Sequence, residues 1–345
     1  MPHDFNFKAT GIGSVPFLNI EGTCRKILSH VPEIPFWPQF VRRSLFEDMN
    51  VQYSEGLPLL KIDEKKRALV CENRDIESGL TEIYEKYLAE QVDAFSISEA
   101  YAPGFYRMLE FIGETPDAIG AYIKGQSVGP VTFASGIADP DGKSILYNPE
   151  LLDAMVKGLS IKALWQVQAL AGTGKKTILF LDEPVLSGFG SAFSAIQRDE
   201  VIRLIREVIH YLRERSDTLI GIHCCGNTDW SMIMEADPDI INFDAFGYMD
   251  YFLLYPKELT AFLNGGGIIA WGIVPTAGFS GNETVDELYG KMEEGLNRIY
   301  DWGVPEETLA AQSILTPACG MGSMEESSAD HAFELLTRLR RKFSP

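Results

Sequence analysis

Positive charge is in short supply: 30 Lys+Arg face 49 Asp+Glu in 345 residues, a formal charge of −19. Phosphate binding needs clustered cations, so this balance argues strongly against a nucleic-acid protein. Cysteine is scarce as well. Five in a chain of this size, and an odd number, do not make a disulfide framework, so they read as reduced thiols. No apolar run approaches the ~20 residues that span a bilayer, and Met1 to Lys8 lacks the basic-then-apolar order of a signal peptide. The expectation is a cytoplasmic protein with no membrane partner. With 46% hydrophobic and 23% charged residues there is ample material for a core, and disorder is excluded.

From about residue 115 onward, short β-rich runs alternate with longer amphipathic ones, the pattern of repeated βα units around a parallel sheet. The strand-like runs are 118–125, 177–181, 218–224, 240–246, 267–273 and 313–316. Helical periodicity marks 149–170, 199–215, 255–263, 284–302 and 329–343. The N-terminal third is less regular. There, 9–15 and 36–41 read as strands around a helix at 20–30, and 68–72, 78–91 and 94–98 as an inserted strand, a helix and a further strand. Eight parallel strands can be counted with an insertion near 45–75, and no linker or composition break divides the chain. The expected architecture is a single (β/α)8 TIM barrel over residues 1–345 with N-terminal embellishment.

In such a barrel the working face is the ring of loops at the C-terminal strand ends. The polar residues that end apolar runs are Gly13-Ser14, Glu99, Asp182-Glu183, His223/Cys225, Asp244 and Cys319. Strand alternation puts His223 and Cys225 on one face and Cys224 on the other, so a His-x-Cys pair can converge on one ion. Zinc is the natural occupant of a thiolate and imidazole site. Cys319, in Leu315-Thr-Pro-Ala-Cys-Gly-Met-Gly322, ends the last apolar run and supplies a third ligand. Asp244 is the candidate fourth, with a helix cap as its other reading. Two thiolates and a carboxylate give the site a net charge near −1 and favour alkyl transfer to sulfur over water activation.

With those residues in hand, the chain resembles the uroporphyrinogen decarboxylase and cobalamin-independent methionine synthase superfamily. Within it, the catalytic barrel of methionine synthase in its short, single-domain form is the nearest likeness. The elements that carry the resemblance are Ile12-Gly13-Ser14, Leu181-Asp-Glu-Pro184, His223-x-Cys225, the run from Asp237 to Asp244, Cys319-Gly320, and Gln126-Ser-Val-Gly-Pro-Val-Thr132. The resemblance implies zinc on His223, Cys225 and Cys319, with Asp244 where methionine synthases carry Glu. It also implies that Ile12, Gly13 and Ser14 hold the carboxylate of homocysteine, and that Glu99 and Asp182 hold its ammonium.

Two departures bear on the methyl donor. Folate-using methionine synthases have a second, N-terminal barrel for which 345 residues leave no room. They also have a histidine near the end of the seventh strand, and the stretch from Gly267 to Pro275 has none. A methyl leaving cobalt(III) needs no proton on its leaving group. Both departures therefore favour a methylcorrinoid, with 125–132 and 36–46 helping to form the donor-facing mouth and acidic patches docking a corrinoid protein. The expected reaction is methyl transfer to homocysteine, giving methionine. Competing readings are a coenzyme M methyltransferase, which would leave Glu99 and Asp182 without purpose; a metal-free porphyrinogen decarboxylase using Arg42 and Arg43 for substrate carboxylates; and a catalytically silent corrinoid-binding partner.

Overall fold

The computed structural model describes residues 4–72, 75–190 and 196–343; the first three residues of the Met1–Lys8 stretch lie outside it. In chain order the strands are β1 (Lys8–Ala9), β2 (Leu60–Asp63), β3 (Ala68–Cys71), β4 (Tyr122–Val128), β5 (Ile137–Ala138), β6 (Lys176–Asp182), β7 (Leu219–Cys224), β8 (Ile240–Phe243), β9 (Ile268–Val274) and β10 (Ser313–Pro317). Seven of them form one curled sheet in the order β1-β10-β9-β8-β7-β6-β4. Every neighbouring pair in it is parallel. Parallel neighbours cannot be joined by a tight turn, so helices such as Pro149–Ala171, Arg198–Arg213 and Val285–Asp301 carry the chain back between strands.

The outer strands β1 and β4 are linked through residues 36–39. Phe36 bridges to Lys124 and Gln39 to Ser14, both in parallel sense. Gln39 N donates to the carbonyl of Gly13 (3.0 Å) and Val15 N to that of Gln39 (2.9 Å). The sequence predicts a continuous strand over 36–41, and single bridges stand in its place. Pro38 lies between the two bridges and has no N–H to give to a ladder.

Two apolar cores lie on opposite faces of the sheet, and alternation along each strand sorts residues between them. Ile178, Phe180, Ile240, Ile268, Ala270 and Ile314 join Phe5, Ile12 and Ile34 on the inner face. Leu179, Leu181, Ile220, Ile222, Ile241, Ile269, Trp271 and Leu315 pack outward against the helices. The inner cluster plugs the sheet's concave side below the strand ends. Polar residues of the same parity, Asp182, His223, Asn242 and Thr316, are buried above it.

Four further expectations need correction. The strand predicted at 9–15 is ordered only as Lys8–Ala9, with a single bridge at Ser14 beyond it. Residues 94–98 are not a strand: Val92–Phe95 forms a 3-10 turn, and only Phe95 and Ile97 of the stretch are buried hydrophobics. The strand predicted at 118–125 starts later, at Tyr122, because Pro116–Ala118 opens a 3-10 turn. The strand predicted at 240–246 stops at Phe243, where the Asp244 side chain accepts from Gly247 N and starts the helix Ala245–Phe252. The insertion near 45–75 is present as the helix Met49–Ser54 and an antiparallel β2–β3 hairpin, and β3 pairs with β5 in a small second sheet. No helix of the described residues is long and apolar enough to cross a membrane.

Candidate metal centre

At the upper end of the sheet, one register row joins four strands: Val128 pairs with Asp182, Asp182 with His223, and His223 with Asn242. Cys225 follows two residues after His223 and therefore faces the same way, while Cys224 is fully buried in the outer core. Cys319 comes from farther along the chain, just after the last strand, β10. A register shift between Thr316 and Pro317 re-aims the backbone there, as bulges beside working sites do, and Ala318 N donates to the carbonyl of Val274 at 2.8 Å. The result is that ligand atoms of His223, Cys225 and Cys319 lie within 4.8 Å of one another.

The histidine is oriented from behind. Asn242 Nδ2 donates to the carbonyl of Ala270 and to Thr316 Oγ1, each at 2.8 Å, which turns Oδ1 toward His223 Nδ1. Nδ1 must then carry the hydrogen, leaving Nε2 as the ring's electron-pair donor. Sequence reasoning missed Asn242 and Thr316. Both sit inside apolar runs, where a single amide or hydroxyl has no motif.

Electrostatically the cluster behaves as one thiolate with donors around it. A hydrogen bond from Cys319 holds the Cys225 thiol down to about 4; burial opposes this, and contacts with His223 reinforce it. The same contact with Cys225 pushes Cys319 upward, together with burial. Burial disfavours a charged His223 ring, yet its hydrogen bond to Cys225 and the charge of Asp182 raise it overall. An anionic sulfur, a second sulfur and an imidazole with its far nitrogen tied form a donor set that fits zinc.

The other candidate residues are placed unevenly. Asp182 is 8% exposed, and its Oδ1 has no hydrogen-bond partner. Burial raises its carboxyl to about 6, against the pull of His223 and Lys124. Asp244 spends one oxygen on its helix cap, accepting from Gly247 N at 2.7 Å. It stands close enough to Cys225 for that charge to add to the upward shift that burial causes. Ile12 and Gly13 are buried, and Ser14 lies partly exposed above them. Glu99 is exposed on the turn after Ser98, where Glu55 makes the hydrogen bonds to Ser98 N (2.7 Å) and Oγ (2.6 Å).

Lys124 was also missed by sequence reasoning. It is fully buried, and its Nζ donates to the carbonyl of Ile12 and lies 4.5 Å from the centre of the Phe180 ring. Burial pushes its ammonium down to about 7, while Asp182 pulls it up. Arg42 and Arg43, the carboxylate binders of the decarboxylase reading, are otherwise engaged. Arg42 donates to three backbone carbonyls, and Arg43 pairs with the buried Glu47 at 3.4 Å.

No protein-family model matches the chain, and no curated protein matches it. Among solved structures, a Listeria monocytogenes protein described as a "putative vitamin-B12 independent methionine synthase" superposes with a TM-score of 0.60, covering 100% of this chain and 99% of that one at 13% identity. A B12-independent methionine synthase from Shewanella sp. W3-18-1, solved with selenomethionine, covers 68% of this chain and 66% of its own at 17% identity, TM-score 0.44. A β-mannanase from Alicyclobacillus acidocaldarius covers 70% and 79% at 12% identity, TM-score 0.38. The end-to-end likeness to the Listeria protein is one of fold.

Proposed function

We propose that this chain is a zinc-dependent methyltransferase of the methionine synthase-like superfamily. In this reading it moves a methyl group from a methylcorrinoid, free methylcobalamin or a corrinoid protein, to the thiol of homocysteine, giving methionine. Residues 36–39 serve as the eighth stave of a (β/α)8 barrel, and the whole chain works as one catalytic unit. One observation carries the proposal: two sulfurs and an imidazole from strand ends far apart in the chain converge beside the buried, unpartnered oxygen of Asp182. The fold shared with the Listeria protein supports the same reading.

His223, Cys225 and Cys319 would hold the zinc, with Asp244 as the candidate fourth ligand, exchangeable for substrate sulfur. Zinc held there would act as a Lewis acid that favours the ionised form of a bound thiol at neutral pH, with two protein thiolates leaving that sulfur electron-rich. The protein's part is orientation. Asp182, together with Glu99, takes the ammonium of the amino acid, and the backbone at Ile12 and Gly13 with the Ser14 hydroxyl takes its carboxylate. The sulfur lone pair then attacks the methyl carbon, and the electron pair of the broken carbon–cobalt bond stays on the corrinoid. No proton is needed on that leaving group, and the strand end Gly272 to Pro275 offers no acid that would give one to a folate nitrogen.

Methyl transfer to homocysteine and to coenzyme M, from methylcobalamin and from methyltetrahydrofolate, tests the assignment in one experiment. Methionine formed from methylcobalamin is the expected result. Turnover with coenzyme M alone would overturn the acceptor, and turnover with the folate alone would overturn the donor.

A further inference from the structure

Three backbone segments are laced together beside Cys319. Gly13 and Val15 bond Gln39 from both sides, and Met321 N donates to the carbonyl of Ser14 at 2.9 Å. Gly322 N leans on Ser14 Oγ at 3.4 Å. Arg42 closes the ring. Its Nε donates to the carbonyl of Gly322 (3.0 Å), and one Nη donates to those of Ser323 (3.0 Å) and Met324 (2.7 Å). The approach is close because both glycines lack a side chain. A Cβ on Gly320 would stand 2.1 Å from Ser14 Oγ, and one on Gly322 would stand 2.5 Å from Val41 Cγ2.

We infer that Arg42 is a positioning residue for Cys319, fixing the loop that carries this sulfur so that it meets Cys225 and His223. This rests on the metal-site reading above. The guanidinium suits the task because its donors form a rigid planar fork with permanent charge, whereas a lysine ammonium is a single flexible point. Arg42 has a solvent-exposed side chain and makes no contact with the cluster itself, so its effect travels through the loop carbonyls. The neighbouring Arg43, paired with Glu47, is the natural control.

Zinc affinity by competition with a chromophoric chelator tests this, alongside the sulfur-to-metal charge-transfer band of the cobalt(II)-loaded protein. Arg42→Ala is expected to bind zinc about tenfold to a hundredfold more weakly, the usual effect of losing an outer support of a metal ligand. Its cobalt band is expected to fall toward that of a single thiolate. Arg42→Lys should recover part of the affinity, and Arg43→Ala should match wild type. A wild-type protein that binds zinc tightly, beside an Arg42→Ala variant within twofold of it and with an unchanged cobalt band, overturns this inference alone. A wild-type protein without zinc affinity overturns it together with the metal-site reading.

Discussion

Asn242 faces His223 across adjacent strands and decides which ring nitrogen is free, because its own amide hydrogens are committed to Ala270 and Thr316. Replacing it with alanine removes the acceptor on Nδ1 and lets the imidazole change tautomer and tilt. Asn242→Ala is expected to lower zinc affinity about tenfold to a hundredfold, measured by chelator competition. An affinity equal to that of wild type would show that the ring is oriented by something else.

Asp182 offers a second handle, on the acceptor. Its Oδ1 is buried and unpartnered, and in the proposed reading it receives the substrate ammonium, so Asp182→Asn should penalise only thiols that carry one. The expected loss in kcat/KM for homocysteine is about tenfold to a hundredfold, roughly 1.4 to 2.8 kcal/mol. A short thiol lacking an amino group should change by less than about threefold. Equal losses for both would assign Asp182 to the structure of the site rather than to substrate.

Two glycines should respond in opposite directions to the same substitution. A Cβ on Gly320 would collide with Ser14 Oγ at 2.1 Å, so Gly320→Ala is expected to cost about 1–3 kcal/mol in urea denaturation. Gly290 lies inside the helix Val285–Asp301, with nothing within 4 Å of its added Cβ. There Gly290→Ala should stabilise by about 0.5–1 kcal/mol. A neutral Gly320→Ala would mean that the Ser14 and Cys319 loops are not held against each other.

Lys162 makes stability depend on pH. It is fully buried and donates to the carbonyls of Glu55 (2.7 Å) and Phe95 (2.9 Å), and burial pushes its ammonium down to about 7 from the usual 10.5. Above pH 7 the folded state holds less proton on this group than the unfolded state, so stability from Lys162 rises with pH up to 10.5. Between about pH 7 and 8.5 the wild type should gain about 2 kcal/mol relative to Lys162→Met in denaturant titrations. A constant gap between the two proteins would contradict the burial argument.

How much of this was legible in the sequence follows from what kind of signal each residue leaves. The helix Ile20–His30 has the bounds that the sequence suggests, and the structure shows Asn19 capping its start. The His223–Cys225 pair was legible because period-two alternation is a local property, and it also sent Cys224 to the outer core. Residues 36–39 betrayed their place between β1 and β4 only as apolar runs, since Pro38 limits the pairing to bridges. The strand expected at 94–98 did not form because five residues of mixed character do not fix a period, and Val92–Phe95 coils into a 3-10 turn instead. Asn242 and Lys124 were invisible for a different reason, as was the place of Arg42, which the sequence offered only as a carboxylate binder: each acts through partners far away in the chain, on Thr316, Ile12 and the 322–324 carbonyls. Asp244 shows the reverse problem, since the residue that suggests a ligand also caps the helix Ala245–Phe252.

The most direct measurement is the zinc content of purified wild type beside Cys224→Ser, Cys225→Ser and Cys319→Ser, with methylcobalamin-to-homocysteine transfer assayed on the same samples. About one zinc per chain is expected in wild type and in Cys224→Ser. Both metal and activity should be lost in Cys225→Ser and Cys319→Ser. Wild-type protein that turns over without zinc, or a Cys319→Ser variant that keeps its metal and its rate, would contradict the account.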